Sequence, residues 1–179
     1  MGLLSIIKKQ KLKDKELRIL ILGLDNAGKT TIVKKIINED VSKVSPTMGF
    51  QISTVLYKEY NLNIWDIGGQ TSLRAFWGNY FDKTDAIMWV IDGLALERLN
   101  ESFKELKEKI LLQDRLVGIK VLILVNKVDL LDDYEEVERE VSSLLNVDEK
   151  IPANQQWKVL SISGKTGFGI IEALEWCIS

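Results

Sequence analysis

The nine residues GLDNAGKTT, 23–31, constrain this chain more than any other stretch. An apolar run, LRILILGL (17–24), leads into them and a helix-like run, KTTIVKKIIN (29–38), leads out. Gly23-x-x-x-x-Gly28-Lys29-Thr30 is a complete phosphate-loop pattern, in the strand–loop–helix setting that the pattern needs. Its glycines let backbone N–H groups close around phosphate oxygens, and the helix N-terminus adds its dipole. On this reading Asp25, Asn26 and Ala27 belong to the cradle between Gly23 and Gly28. Lys29 reaches the β and γ phosphates, Thr30 offers its hydroxyl to Mg²⁺, and Thr31 follows in the same cradle. The bland alternative is a glycine-rich turn from strand to helix.

Four further apolar runs follow: LNIWDI (62–67), AIMWVID (86–92), VLILVNK (121–127) and WKVLSIS (157–163). Unbroken apolar runs fit parallel strands buried on both faces. FQISTVLYKEY (50–60) alternates instead and reads as an edge strand, with YKEYN turning it back into the 62–67 run as a hairpin. LERLNESFKELKEKILLQ (96–113), YEEVEREVSSLL (134–145) and FGIIEALEWCI (168–178) carry helical spacing. The expectation is a doubly wound α/β fold: a six-stranded, mostly parallel sheet with one antiparallel edge strand and helices on both faces. Ligands of such sheets bind at the carboxyl ends of the strands.

Composition narrows the chemistry. With no histidine and only Cys177, zinc sites, disulfides and histidine-based triads are excluded within the chain. A metal would take oxygen ligands, which favours magnesium. A net charge of -2 gives no global basic field for nucleic acid. No apolar run approaches the length of a membrane span, and a reducing cytoplasmic setting is expected.

The strand ends carry the remaining motifs. Asp66-Ile67-Gly68-Gly69-Gln70 offers an acid that can hold Mg²⁺ through water. Gly69 offers an N–H for the γ-phosphate, and Gln70 a side chain that can orient a water for in-line attack. Asn126-Lys127-Val128-Asp129 selects guanine. One carboxylate, Asp129, accepts from both N1–H and the N2 amine, a donor pair that adenine lacks. Lys127 can lie along the base and Asn126 can tie loops together. Ser163-Gly164-Lys165 can present an N–H to guanine O6 with Lys165 over the ring, or it is a solvated turn. In SPTMGF, Thr47 is the candidate for a second hydroxyl on Mg²⁺, present only with the γ-phosphate.

GLDNAGKTT, SPTMGF, WDIGGQ, LRAFWGNYF and NKVDL together resemble the ADP-ribosylation factor (ARF) family of small GTPases. Trp65 before the Asp-x-Gly-Gly-Gln turn, and the later Arg74, Trp77, Tyr80 and Phe81, set ARF-like chains apart from other small GTPases. The opening 35 residues resemble most the microtubule-associated ARF-like branch that works with tubulin-folding cofactor D. The resemblance implies a switch between GDP and GTP forms, with Gln70 and Lys29 acting in hydrolysis and exchange and activating proteins as partners. It implies a 1–15 amphipathic helix ahead of a 16–179 G domain, and a monomer. In the family, the strands between the switch loops slide in register with GTP and displace that helix. Phe50, Trp65 and Tyr80 match its aromatic effector-binding triad; core packing is the competing explanation.

Leu3, Leu4, Ile6 and Ile7 ahead of KKQKLK suit an interface, a partner groove or weak membrane contact. Gly2 lacks the Ser or Thr at position 6 that the myristoylation pattern asks for, and Cys177 stands third, not fourth, from the end, so neither lipid is expected. Residues 131–156 match the family loosely. Lipidated-cargo release, vesicle traffic, a nucleotide-binding scaffold with incidental hydrolysis, and a P-loop kinase or ATPase are the rival expectations.

Overall fold

The computed structural model describes residues 2–7 and 15–179. Six strands form one sheet: β1 (Glu16–Gly23), β2 (Phe50–Tyr57), β3 (Tyr60–Ile67), β4 (Ala86–Asp92), β5 (Lys120–Asn126) and β6 (Trp157–Ser161). Their order is β2-β3-β1-β4-β5-β6. All neighbours are parallel except β2 and β3, which pair antiparallel from Phe50 opposite Ile67 to Tyr57 opposite Tyr60. The expected mixed sheet is the one observed. The helices are α1 (Lys29–Ile36), α2 (Thr71–Arg74), α3 (Leu99–Leu106), α4 (Tyr134–Asn146) and α5 (Ile170–Ile178).

The apolar runs are explained by two cores. In β1, Ile19 and Ile21 face one way, packed with Ile32 and Val33 of α1 and Ala173 and Leu174 of α5. Leu20 and Leu22 face the other, packed in the layer that holds Leu99 and Leu106 of α3 and Val137 and Val141 of α4. A strand covered on both sides has no polar face, so its sequence does not alternate. β2 lies at the edge and does alternate, leaving Phe50, Ile52 and Leu56 exposed. Cys177 faces the α1–α5 core, where burial pushes its thiol up to about 12, so it is a packing residue without ready nucleophilicity.

Three local expectations differ from the structure. The stretch expected as one helix over 96–113 is a 3₁₀ turn (Leu96–Arg98), then α3, then a π-helical turn (Lys107–Leu111). The wider turn, closed by the Leu112 amide on the Lys107 carbonyl at 3.0 Å, lets adjacent Ile110 and Leu111 both bury. β6 stops at Ser161, short of 163, because Ser163 leaves the ladder and its amide bonds the Phe168 carbonyl. α2 and the 3₁₀ turn Trp77–Tyr80 were not expected; elements of four residues are too short to show a period.

Residues 3–7 are helical, with the Ser5 and Ile6 amides on the Gly2 carbonyl. Leu3, Leu4 and Ile6 are exposed. The basic stretch KKQKLK lies outside the described residues. Among the described residues no helix is long and apolar enough to cross a membrane.

Candidate functional site: a nucleotide cleft at the strand ends

The carboxyl ends of β1 and β3 open into a cleft of about 350 Å³. Its wall is made by Asp25, Asn26 and Gly28 to Thr31, by Val44 to Thr47, by Gly68 to Gln70 and by Lys127. At Gly23 a Cβ would meet the Val90 carbonyl oxygen at 2.4 Å, so only glycine lets β1 end beside β4. Gly28 sits at φ 94°, where a Cβ would meet Asn126 Nδ2 at 2.3 Å. It also caps α1 with no side-chain acceptor, which leaves the first N–H groups of the helix for a ligand. Lys29 is buried, its Nζ donating to the Gly23 and Leu24 carbonyls at 3.1 and 2.8 Å. Burial pushes its ammonium down to about 8, against the pull of Asp66 and Asp25. A bound polyphosphate would add an anionic partner beside this ammonium.

Thr30, Thr47 and Asp66 come together as expected. Thr30 Oγ1 donates to Asp66 Oδ2 at 2.5 Å and lies 2.7 Å from Thr47 Oγ1. Thr47 Oγ1 is 3.4 Å from the same carboxylate oxygen. Asp66 is buried at the carboxyl end of β3, and burial raises its carboxyl above the usual range. Its Oδ1 has no hydrogen-bond partner among the described residues. Two hydroxyls and a buried carboxylate with an unsatisfied oxygen make an all-oxygen donor set, which fits Mg²⁺ held directly and through water.

The Asp66–Gln70 turn packs directly on the phosphate loop. The Asp25 amide donates to the Gly69 carbonyl at 3.1 Å, and the Gly68 amide to the Gly49 carbonyl at 2.8 Å. A Cβ on Gly69 would lie 2.4 Å from the Gly23 carbonyl oxygen and 2.6 Å from the Leu24 carbonyl carbon, so no other residue fits that approach. Gln70 is half-buried on the cleft wall and stands at the N-cap of α2.

The base end is assembled but lies off the wall of the cleft beyond Lys127. Asn126 Nδ2 donates to the Ala27 carbonyl at 2.9 Å, while its Oδ1 accepts from the Gly164 amide at 3.0 Å. One side chain thus ties the phosphate loop to the loop after β6. Lys127 Nζ reaches the Asn26 carbonyl at 2.9 Å and Asp92 at 2.8 Å. The exposed Asp129 accepts from Ser163 Oγ at 2.8 Å, which aims its carboxylate beside Gly164; Lys165 is exposed.

Sequence reasoning missed a charged network behind the turn. Arg74, in the sequence only a family marker, bonds Gly69, Glu101 and Asp25. Arg98 bonds Asp25 and Glu101. These residues come from three separate elements and have no shared motif. Asp92, which holds Lys127, was missed as well, though its place at the end of β4 was a usable signal.

Phe50, Trp65 and Tyr80 do form one aromatic group, with centroids 5.4, 5.3 and 6.0 Å apart. Trp65 and Tyr80 pack partly against the α3–α4 core, while Phe50 is 48% exposed. The Arg18 guanidinium stacks 4.0 Å from the Trp65 ring.

The profile of the ADP-ribosylation factor family matches residues 3–179. ADP-ribosylation factor-like protein 2 of Dictyostelium discoideum is 48% identical over 99% of this chain and 94% of its own length. The Arabidopsis thaliana protein of the same name is 47% identical over the same shares. In fold, the chain is similar to the Arl6 small GTPase of Trypanosoma brucei solved with the bound nucleotide analogue GppNp. The TM-score is 0.75 at 23% identity, over 90% of this chain and 95% of that one.

Proposed function

We infer function from the premise that this chain belongs to the ADP-ribosylation factor family of small GTPases. We propose that it is a switch set by GTP and reset by hydrolysis to GDP. The observation that carries this reading is Thr47. It comes from the loop between α1 and β2, yet its hydroxyl lies 2.7 Å from Thr30 on the phosphate loop. A loop whose tip brings a hydroxyl to the phosphate loop, where γ-phosphate and Mg²⁺ would engage it, can order with one nucleotide and release with the other.

The residues divide the work. Lys29 and the loop amides hold charge on the β and γ phosphates, Gln70 orients the attacking water, and Asp129 beside the 163–165 turn reads guanine. Thr30, Thr47 and, through water, Asp66 would hold Mg²⁺, which would supply charge neutralisation to the bound phosphates. Among the described residues no arginine lines the cleft; Arg74 and Arg98 are engaged by Asp25 and Glu101. An arginine finger is worth roughly 10³–10⁵ in rate, so turnover by the chain alone is slow and an activating protein supplies the missing charge. Gln70→Leu is expected to slow GTP hydrolysis by at least about tenfold. Hydrolysis at the wild-type rate would remove Gln70 from the mechanism.

The resemblance of the opening 35 residues to the microtubule-associated ARF-like branch is the ground for proposing a role in tubulin folding with tubulin-folding cofactor D, in the cytoplasm and at microtubules. A pull-down with the Gln70→Leu form, compared with a GDP-loaded wild type, should enrich tubulin and cofactor D. Absence of both favours cargo release or traffic, a reading that the exposed Leu3, Leu4 and Ile6 would serve.

A further inference from the structure

We propose that Arg74 is a positioning residue for hydrolysis: its guanidinium fixes the Gly69–Gln70 peptide and ties that turn to Asp25 of the phosphate loop and Glu101 of α3. The inference rests on Gln70 orienting the attacking water.

Arg74 is 5% exposed although it is the last residue of a four-residue helix. A cation so buried is tolerated only when its donors are paired. Nε donates to the Gly69 carbonyl at 3.0 Å, Nη1 to Glu101 Oε1 at 3.0 Å and Nη2 to Asp25 Oδ1 at 3.3 Å. One planar fork thus joins three segments, and its rigid geometry couples their positions.

Gly69 links this fork to Gln70. Its carbonyl accepts from Arg74 on one side and from the Asp25 amide at 3.1 Å on the other. In a planar trans peptide that carbonyl and the Gln70 N–H share one rigid plane. Two donors on the oxygen therefore fix the direction in which the Gln70 backbone sets out. Gly69 runs close against the loop, where a Cβ would meet the Gly23 carbonyl oxygen at 2.4 Å. Asp25 and Glu101 are nearly half-exposed and can rehydrate when Arg74 is replaced. Arg98 contacts the same two acids and lacks the Gly69 bond, which makes it the control.

The test is single-turnover GTP hydrolysis by the full chain, with GDP affinity and thermal unfolding measured on the same preparations. Arg74→Met and Arg74→Lys should each slow hydrolysis by about tenfold or more, because small misplacements of a reacting group carry large rate penalties. GDP affinity should stay within about threefold, since the effect lies in the chemical step. Arg98→Ala should hydrolyse within about threefold of wild type, the range of a partly exposed ion pair. Arg74→Met combined with Gln70→Leu should be no slower than Gln70→Leu alone, because residues acting through one another are non-additive. If Arg74→Met does not fold, Arg74→Lys carries the same comparisons. Wild-type hydrolysis by Arg74→Lys, or losses that multiply in the double variant, would overturn the inference. Wild-type hydrolysis by Gln70→Leu would instead overturn the assignment of Gln70 on which it rests.

Discussion

Lys29 shows how one residue is held between stability and function. Its ammonium is buried among backbone carbonyls and titrates at about 8, where an ordinary lysine titrates at 10.5. Between those values the unfolded chain keeps the proton and the folded chain sheds it, so folding stability rises with pH across that window. Below pH 8 the penalty for burying the charge is fully present, and it amounts to about 3 kcal/mol. Lys29→Met removes that titration. In nucleotide-free protein, the stability of wild type relative to Lys29→Met should therefore improve as pH rises from 7 to 10, by up to about 3 kcal/mol. Denaturant unfolding at the two pH values reads this directly, and a gap that does not move with pH would contradict the burial account. Lys29, Thr30, Asn126 and Asp129 were legible in the sequence because each chemical role demands a residue type at a fixed spacing. Arg74 was not, because its partners Asp25 and Glu101 lie 49 and 27 residues away and only the fold brings them together.

At the scale of elements, the turn after β3 is anchored by the 3₁₀ turn C-terminal to α2. Trp77, the first residue of that 3₁₀ turn, is almost fully buried and donates from Nε1 to the Gly68 carbonyl at 3.0 Å. Its ring meets Trp89 of β4 edge-on, with centroids 5.6 Å apart, and Trp89 in turn bonds Ser102 of α3. Trp77→Phe keeps an aromatic ring and deletes the donor to Gly68. The expected loss is about 1–3 kcal/mol, the range for a buried acceptor left without its partner. Urea unfolding should show it, and a change under about 0.5 kcal/mol, the size expected of a neutral surface substitution, would argue that the bond is incidental. The strands were readable because burial on two faces writes itself as unbroken apolar sequence. The 96–113 stretch was misread in its regularity, since a π turn that buries both Ile110 and Leu111 leaves the apolar spacing close to that of an α-helix. α2 and the Trp77 turn were invisible because four residues carry no period.

At the scale of the molecule, the sheet places three loops on one cleft and fastens each to another. Asn126 joins the base end to the phosphate loop, Gly69 joins the turn after β3 to Asp25, and Thr47 joins the 43–49 loop to Thr30 and Asp66. The first two junctions include backbone hydrogen bonds or buried side chains. The third is a cluster of hydroxyls around a buried carboxylate, which γ-phosphate and Mg²⁺ would complete. A switch therefore belongs at residues 43–49, and that claim can be read without knowing any partner. The measurement is amide hydrogen exchange across residues 43–49 with Mg²⁺ and either GDP or GppNp bound. The account predicts strong protection of this segment with GppNp and fast exchange with GDP, while β4 and β5 stay protected in both. Equal exchange of residues 43–49 in the two forms would contradict it.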